Sequence, residues 1–257
     1  MTKTVFITGA TSGFGAACAE IFAQNGYRVL LNGRRTERLE AAAADLKARF
    51  GTESYLLPFD VRDRAAVFAA VETLPAEWQE IDVLVNNAGL ALGRDKFQDA
   101  SLDDWDVMLD TNVKGLLYVA RAVLPFMLAR KRGHIINMGS VAGKEVYERG
   151  NAYCASKFAV DALSRSMRID LLSNGIKVTA IHPGAAETEF SLVRFKGDEA
   201  TAAGIYQGFQ PLSAQDVASV IYYTTTLPPH VCINDLVLTC TAQADAIYFH
   251  KQPSVNG

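Results

Sequence analysis

Val5-Phe6-Ile7-Thr8-Gly9-Ala10-Thr11-Ser12-Gly13-Phe14-Gly15 decides how this 257-residue chain is read. Val5 to Thr8 is a short apolar, β-branched run, glycines interrupt it, and Ala16 to Gln24 is rich in helix formers. A strand that turns through glycines straight into a helix brings backbone amides and the positive helix end to one point, where a pyrophosphate fits. Elsewhere such glycines would mark only a structural turn. At the first strand-to-helix junction they make Gly9, Thr11, Ser12, Gly13, Phe14 and Gly15 a candidate dinucleotide cradle.

The same alternation recurs along the chain. Apolar runs at Val5 to Thr8, Arg28 to Asn32, Ser54 to Phe59, Asp82 to Asn86, His134 to Met138, Lys177 to Ile181 and Leu236 to Leu238 are separated by helical patterns. Runs that are apolar throughout, such as Val-Leu-Val-Asn and His-Ile-Ile-Asn, suit parallel strands covered on both faces. The expected architecture is α/β: a doubly wound, mainly seven-stranded parallel sheet of Rossmann type, in a single domain over residues 1–257. Thr36 to Phe50 reads as a helix with Thr36 as its cap, and Asn112 to Arg130 as a helix with one broad apolar face that Pro125 should bend. Arg130-Lys131-Arg132 reads as favourable charge at that helix's carboxyl end before Gly133.

Composition limits the function classes. With 49% apolar residues and 8 prolines the chain is a folded globular unit, and a chain this long hides about three-quarters of its extended surface. Lys and Arg total 25 against 28 Asp and Glu, for a net charge of −3, so the basic excess of a nucleic-acid or anionic-membrane binder is missing. Cys18, Cys154, Cys232 and Cys240 form no C-x-x-C pair and the four histidines are scattered, so no metal site is expected. The opening MTKTVFITGA is too short for a signal peptide's apolar region, and no uninterrupted apolar run reaches membrane-spanning length. A reducing, cytoplasmic setting is the expectation.

The cradle's preference is written at the end of the second run. NAD-binding units of this type carry an acidic residue about 20 positions after the glycines to bind the ribose 2′-hydroxyl. Here no Asp or Glu falls between Glu20 and Glu37, and Arg34-Arg35 follows Asn32-Gly33. Guanidinium groups match a 2′-phosphate that a carboxylate would repel. The expected cofactor is therefore NADP(H), although two arginines in a surface turn would look the same.

Tyr153-x-x-x-Lys157 alone is weak, but Ser140 closes the run beginning at His134, where the carboxyl ends of α/β strands form a ligand crevice. The following helix carries Tyr153 and Lys157 on one face. A phenol with a pKa near 10 is a poor base unless positive charge favours the phenolate, which Lys157 and an oxidised nicotinamide would supply. Tyr153 would take the proton from an alcohol while Ser140 hydrogen-bonds the reacting oxygen.

Thr8-Gly9-x-x-x-Gly13-x-Gly15, Asn86-Asn87-Ala88-Gly89, Ser140, Tyr153-x-x-x-Lys157 and Pro183-Gly184, in this order over nearly the whole chain, resemble the short-chain dehydrogenase/reductase family. The resemblance implies that Asn112 helps hold a proton-relaying water, where the residue alone would read as a helix cap. It further implies that Asp60 and Val61 meet the adenine, that Asn87, Ala88 and Gly89 wall the cofactor, and that Pro183, Gly184 and Thr188 form the nicotinamide-side loop.

Within the family, Leu74 to Trp78, Asn86 to Gly93, Tyr153 to Phe158 and Thr188 to Gly197 are most similar to the NADP-dependent 3-hydroxy acid (serine, allo-threonine) dehydrogenases. That likeness implies a small anionic substrate, for which Arg149 and Arg194 are candidate anchors beside Ser140 and Tyr153, with Lys196 a further cation. Residues 185–210 read as a lid, whereas Glu145 and Glu148 would oppose a carboxylate or accept a substrate amine, and the tail, about 241–257, departs from the family pattern. The family also implies a homotetramer, built on the apolar helices, with the tail near a neighbouring subunit; a free tail is the plainer alternative. Reductases of another carbonyl (sulfoacetaldehyde, a 3-oxoacyl carrier or a sugar) are the nearest rivals. A non-catalytic NADP-binding sensor need not retain Ser140, Tyr153 and Lys157 together.

Overall fold

Val5, Phe6 and Ile7 are consecutive and all fully buried, which a strand achieves only when both its faces are covered. The computed structural model describes residues 2–252 and sets this strand in a seven-stranded, all-parallel sheet of order β3-β2-β1-β4-β5-β6-β7. The strands are β1 (Thr4–Ile7), β2 (Arg28–Gly33), β3 (Ser54–Pro58), β4 (Ile81–Asn86), β5 (Gly133–Met138), β6 (Ile176–Pro183) and β7 (Asp235–Leu238). All seven fall on the expected runs.

The helices are α1 (Gly13–Gln24), α2 (Thr36–Phe50), α3 (Arg64–Glu72), α4 (Leu102–Leu109), α5 (Leu116–Arg130), α6 (Asn151–Asp170), α7 (Glu189–Arg194), α8 (Glu199–Gly204) and α9 (Ala214–Thr226). Alternate strand residues separate two cores. Val5, Ile7, Leu31 and Val85 pack with Phe22 of α1 and Ile221 of α9, while Phe6, Leu30, Leu84 and Ile135 pack with Val67 of α3 and Val119 and Met127 of α5. The strand order reverses between β1 and β4, so the crevice opens above their carboxyl ends.

Three local readings change. Helix α2 does run from Thr36 to Phe50, but Arg35 occupies the cap position and no side chain caps the helix. The chain passes Pro125 within α5, and the irregularity lies earlier, in a π-helical turn at Asp110–Gly115 joining α4 to α5. Asn112 is thus inside a widened turn rather than at a cap. A Cβ on Gly115 would stand 2.7 Å from Val61 Cγ2, so the helix passes the end of β3 with no room for a side chain. Arg130 and Arg132 reach Asp82 Oδ1 at 3.5 and 2.9 Å.

Leu102–Arg130 is one helix of 29 residues, long and apolar enough by composition alone to cross a membrane. Its Val119, Val123 and Met127 are buried in the core beneath the sheet. Residues 185–210 contain α7 and α8, and the following tail folds back on its own chain. Phe249 stacks near Phe209 (ring centroids 5.2 Å apart) and Gln252 N donates to the Gly208 carbonyl. Met1 and residues 253–257, included in the expected domain and tail, lie outside the described residues.

Candidate active site

Between Ile7 and Gly13 the chain makes the turn that the glycines require. Gly9 has φ +65, and a Cβ there would lie 3.1 Å from Asn87 Nδ2 and 3.2 Å from Ala88 Cα. At Gly15 a Cβ would fall 2.1 Å from the Gly9 carbonyl oxygen, because the first turn of α1 packs directly on the glycine loop. Thr8 Oγ1 accepts from the amides of Asn87 and Ala88, both at 2.9 Å, locking the β1 turn to the end of β4.

Above this turn lies a cleft of ≈ 590 Å³. Of the expected cofactor residues, Gly9, Thr11, Ser12, Gly13, Phe14, Arg34, Arg35, Asp60, Val61, Asn87, Ala88, Gly89, Tyr153, Lys157 and Thr188 line it, while Gly15 supports it from behind. The glycine cradle and the two arginines at its far end fit a dinucleotide carrying a 2′-phosphate. Asp60, the nearest carboxylate, is engaged by Arg62 Nη2 at 2.7 Å, with Arg34 Nη1 3.9 Å away. Burial raises its proton affinity, but hydrogen bonds from Arg62 outweigh this and hold the carboxyl below its ordinary range.

Tyr153 and Lys157 are both buried on α6. Lys157 Nζ donates to the Met138 carbonyl at 2.8 Å and stands 5.9 Å from the Tyr153 ring centroid. Burial brings Lys157 down to about 8 and drives the Tyr153 phenol up, with the Ser140 hydroxyl and Arg194 pulling it back. Burial thus favours the protonated phenol, the opposite of the effect expected from Lys157.

Ser140 Oγ accepts from the Ala142 amide at 3.1 Å and donates to the Pro183 carbonyl at 3.5 Å. Asn112 has every polar atom of its side chain engaged: Oδ1 accepts from Leu90 N (2.8 Å), and Nδ2 donates to Leu90 O (2.8 Å) and Ser156 Oγ (3.0 Å). It ties the π-helical turn, the loop after β4 and α6 together. A Cβ on Gly89 would lie 3.2 Å from Asn112 Oδ1 and 3.6 Å from Lys157 Nζ, so the two side chains approach one another there.

Of the proposed anion anchors, Arg194 comes to the site. Its guanidinium carbon is 5.4 Å from the Tyr153 ring centroid, and Nη1 donates to the Tyr147 hydroxyl at 3.1 Å. Arg149 does not: it has φ +64, is exposed and lies 3.7 Å from its neighbour Glu148. Lys196 is spent on Asp104 at 2.9 Å. Glu145 accepts from the Ala246 amide and Glu148 is exposed, so neither carboxylate lines the cleft.

Two residues of the site were not expected from the sequence. Phe190 lines the cleft with its ring centroid 5.7 Å from that of Tyr153; its place just after Thr188 was an available signal. Gln243 had none. Its Oε1 accepts from Ala185 N at 2.7 Å and fills the space beside Gly184, so the tail fixes the Pro183-Gly184 corner.

Comparison with known proteins agrees with this geometry. The short chain dehydrogenase family model matches residues 3–198. The NADP-dependent 3-hydroxy acid dehydrogenase YdfG of Escherichia coli (strain K12) is 47% identical over 250 residues, 96% of this chain and 99% of that protein. Sulfoacetaldehyde reductase 2 of Chromohalobacter salexigens is 46% identical over 245 residues, 95% of this chain and 96% of that protein. A solved closed form of serine dehydrogenase complexed with NADP+ superposes with a TM-score of 0.90 at 47% identity, over 97% of this chain and 100% of that one. With the cradle, the cleft and the Ser140, Tyr153 and Lys157 set in one sheet crevice, this chain belongs to the short-chain dehydrogenase family.

Proposed function

We propose that the protein is an NADP(H)-dependent dehydrogenase that moves hydride between the cofactor and the hydroxyl-bearing carbon of a small 3-hydroxy acid, such as serine, allo-threonine or 3-hydroxypropionate. The observation that carries the substrate class is Arg194, a guanidinium held beside the Tyr153 ring by the Tyr147 hydroxyl and the Gly93 carbonyl. A carboxylate two carbons from the reacting hydroxyl meets that cation while the hydroxyl faces Tyr153.

The residues divide the work. Gly9 to Phe14 receive the pyrophosphate, Arg34 and Arg35 the 2′-phosphate, and Asp60 and Val61 the adenine side. NADP, when bound, accepts or returns the hydride. Tyr153 takes the hydroxyl proton in oxidation and gives it back in reduction; Ser140 donates to the reacting oxygen and keeps it in line. Lys157, fixed by the Met138 carbonyl, supplies the positive charge that steadies the phenolate. Asn112 holds the Leu90 backbone against α6 and keeps Lys157 near the relay path.

A second reading, reduction of sulfoacetaldehyde, is favoured by the same observation, because a sulfonate presents a similar anionic face to Arg194. A substrate panel separates the two. The 3-hydroxy acids with NADP+ and sulfoacetaldehyde with NADPH are compared by kcat/KM. The first reading requires turnover of serine, 3-hydroxypropionate or 3-hydroxyisobutyrate; absence of all three with good sulfoacetaldehyde turnover selects the second.

We infer further that the enzyme works in the cytoplasm as a homotetramer. Supporting the assembly are the apolar side chains that α4, α6 and the turn after α6 leave exposed, among them Leu102, Phe158, Ile169 and Leu172. Light scattering is expected to give four times the chain mass, and a stable monomer would rule the assembly out.

A further inference from the structure

His182 stands one residue before Pro183, has no exposed surface, and takes no part in the chemistry above. Its Nδ1 is 3.2 Å from the Ser140 carbonyl oxygen. A carbonyl oxygen only accepts, so Nδ1 carries the hydrogen. Nε2 has no hydrogen-bond partner among the described residues and faces Asp161 Oδ1 at 3.6 Å and Asp235 Oδ1 at 3.4 Å. The hollow between these carboxylates already holds a cation: Lys144 Nζ is 2.9 Å from Asp161 Oδ1 and 2.6 Å from Asp235 Oδ2. Arg165 Nη2 completes the set at 2.9 Å from Asp161 Oδ2. Two carboxylates are balanced by two cations, and the imidazole completes the cluster as a neutral spacer.

The ring is also the floor of the Ser140 turn. A Cβ on Gly139 would stand 2.4 Å from His182 Nδ1 and 2.6 Å from Cε1. The cluster joins the elements that meet at the reaction centre: Lys144 follows the Ser140 turn, Asp161 lies one further turn along α6 from Lys157 and two from Tyr153, and His182 leads into the Pro183-Gly184 corner. None of these cluster residues lines the cleft. The Ser140 carbonyl also accepts from Gly143 N at 2.8 Å, so the imidazole is its second donor and packs against the turn from the other side. Without the ring the turn settles into the vacated space, and the Ser140 hydroxyl moves with it.

We propose that His182 is a positioning residue for hydride transfer: its imidazole, wedged under Gly139 and bonded to the Ser140 carbonyl, sets where the Ser140 hydroxyl stands relative to Tyr153, and Lys144, Asp161 and Asp235 hold the ring in place. The inference rests on the assignment of Ser140 and Tyr153 given above. Burial, with Lys144 adding to it, lowers the ring's proton affinity against the opposing pull of Asp235 and Asp161, which favours the neutral imidazole. The groups facing it, directly or through Asp161, are Lys144 after the Ser140 turn, Asp161 and Arg165 on α6, and Asp235 on β7.

The test uses the full-length enzyme saturated with NADP+ and its best substrate. His182→Ala is expected to lower kcat about tenfold while the KM for NADP+ stays within about twofold, because one hydrogen bond is lost and the cradle is untouched. His182→Asn, whose amide donates from near the Nδ1 position, is expected to recover kcat to within about threefold of wild type. Lys144→Met leaves two carboxylates facing His182 with one cation fewer, so its pH–rate profile gains an ionisation near neutrality that wild type lacks. Nitrogen-15 NMR of the imidazole should show the same titration. Wild-type kcat in His182→Ala, equal losses in His182→Asn and His182→Ala, or a Lys144→Met profile superimposed on wild type would each overturn the proposal; if His182→Ala does not fold, the other two variants carry the test. Ser140→Ala separates the layers. Its full activity would remove the Ser140 assignment itself, whereas its loss alongside an active His182→Ala removes only the positioning role.

Discussion

Tyr153 and Lys157 lie one helical turn apart, and burial moves their ionisation in opposite directions, the phenol up and the ammonium down to about 8. For Lys157 this has a consequence for stability. The unfolded chain binds its proton up to about pH 10.5 and the folded chain only to about 8, so the cost of burying the charge is complete below pH 8 and disappears by pH 10.5. Lys157→Met escapes that cost. Urea unfolding of the cofactor-free proteins should show its stability advantage over wild type shrinking by about 3 kcal/mol between those limits, and a difference independent of pH would show that the ammonium is not buried. Arg34 bears on selectivity. Arg34→Asp is expected to shift the NADP+/NAD+ ratio of kcat/KM by about 100-fold towards NAD+, and an unchanged ratio would remove the 2′-phosphate assignment. At this scale the sequence was informative where chemistry has a spacing, as in Tyr153 to Lys157, or a missing charge, as between Glu20 and Glu37. It was silent on Gln243 and His182, whose roles depend on contacts between segments far apart in the chain.

Elements were legible because each strand is built on a short apolar or β-branched run and is separated from the next by a helical pattern. The seven strands follow from that pattern, and α2 spans the residues its composition indicates. The π-helical turn at Asp110–Gly115 was not legible. Asn112 carried the signal of a cap, but in the folded chain its side chain bonds Leu90 and Ser156, and the helix continues past it. π-Helical turns are common at functional sites because they re-aim one side chain within a helix. Asn112→Ala should therefore lower kcat and also reduce the unfolding free energy by about 1–3 kcal/mol, read as a lower melting temperature, since buried partners lose bonds together. Full stability would mean that the Leu90 loop does not depend on this residue. The junction between β1 and α1 is tighter still. Gly15→Ala places a methyl against the Gly9 carbonyl, and NADPH titration monitored by fluorescence should show binding lost or weakened at least about tenfold. Unchanged affinity would mean that the loop can shift freely.

At the scale of the molecule, the parallel sheet and its two cores were foreseeable, whereas the return of the tail onto residues 185–210 was not. Residues 241–252 had neither a strong period nor a turn motif, and their position is set by Gln243, Phe249 and Gln252 meeting Ala185, Phe209 and Gly208. An imidazole buried uncharged in the sheet gives the whole protein an acid limit. His134 is buried and donates to or accepts from Thr179 Oγ1 at 2.7 Å; burial, assisted by Lys177, lowers it to about 4. Between pH 6.5 and 4 the unfolded chain binds a proton that the folded chain refuses, so stability falls as pH falls, by about 3 kcal/mol in total. His134→Asn should flatten that part of the stability profile in urea titrations, and an unaltered slope would assign the acid sensitivity elsewhere. The central claim is catalytic, and the most direct measurement is the initial rate of NADPH formation from 3-hydroxypropionate by wild type and Tyr153→Phe under saturating NADP+. The account predicts turnover by wild type and a loss of about 100-fold or more in the variant, with NADP+ binding preserved; equal rates in the two proteins, or no NADPH from any 3-hydroxy acid, would contradict it.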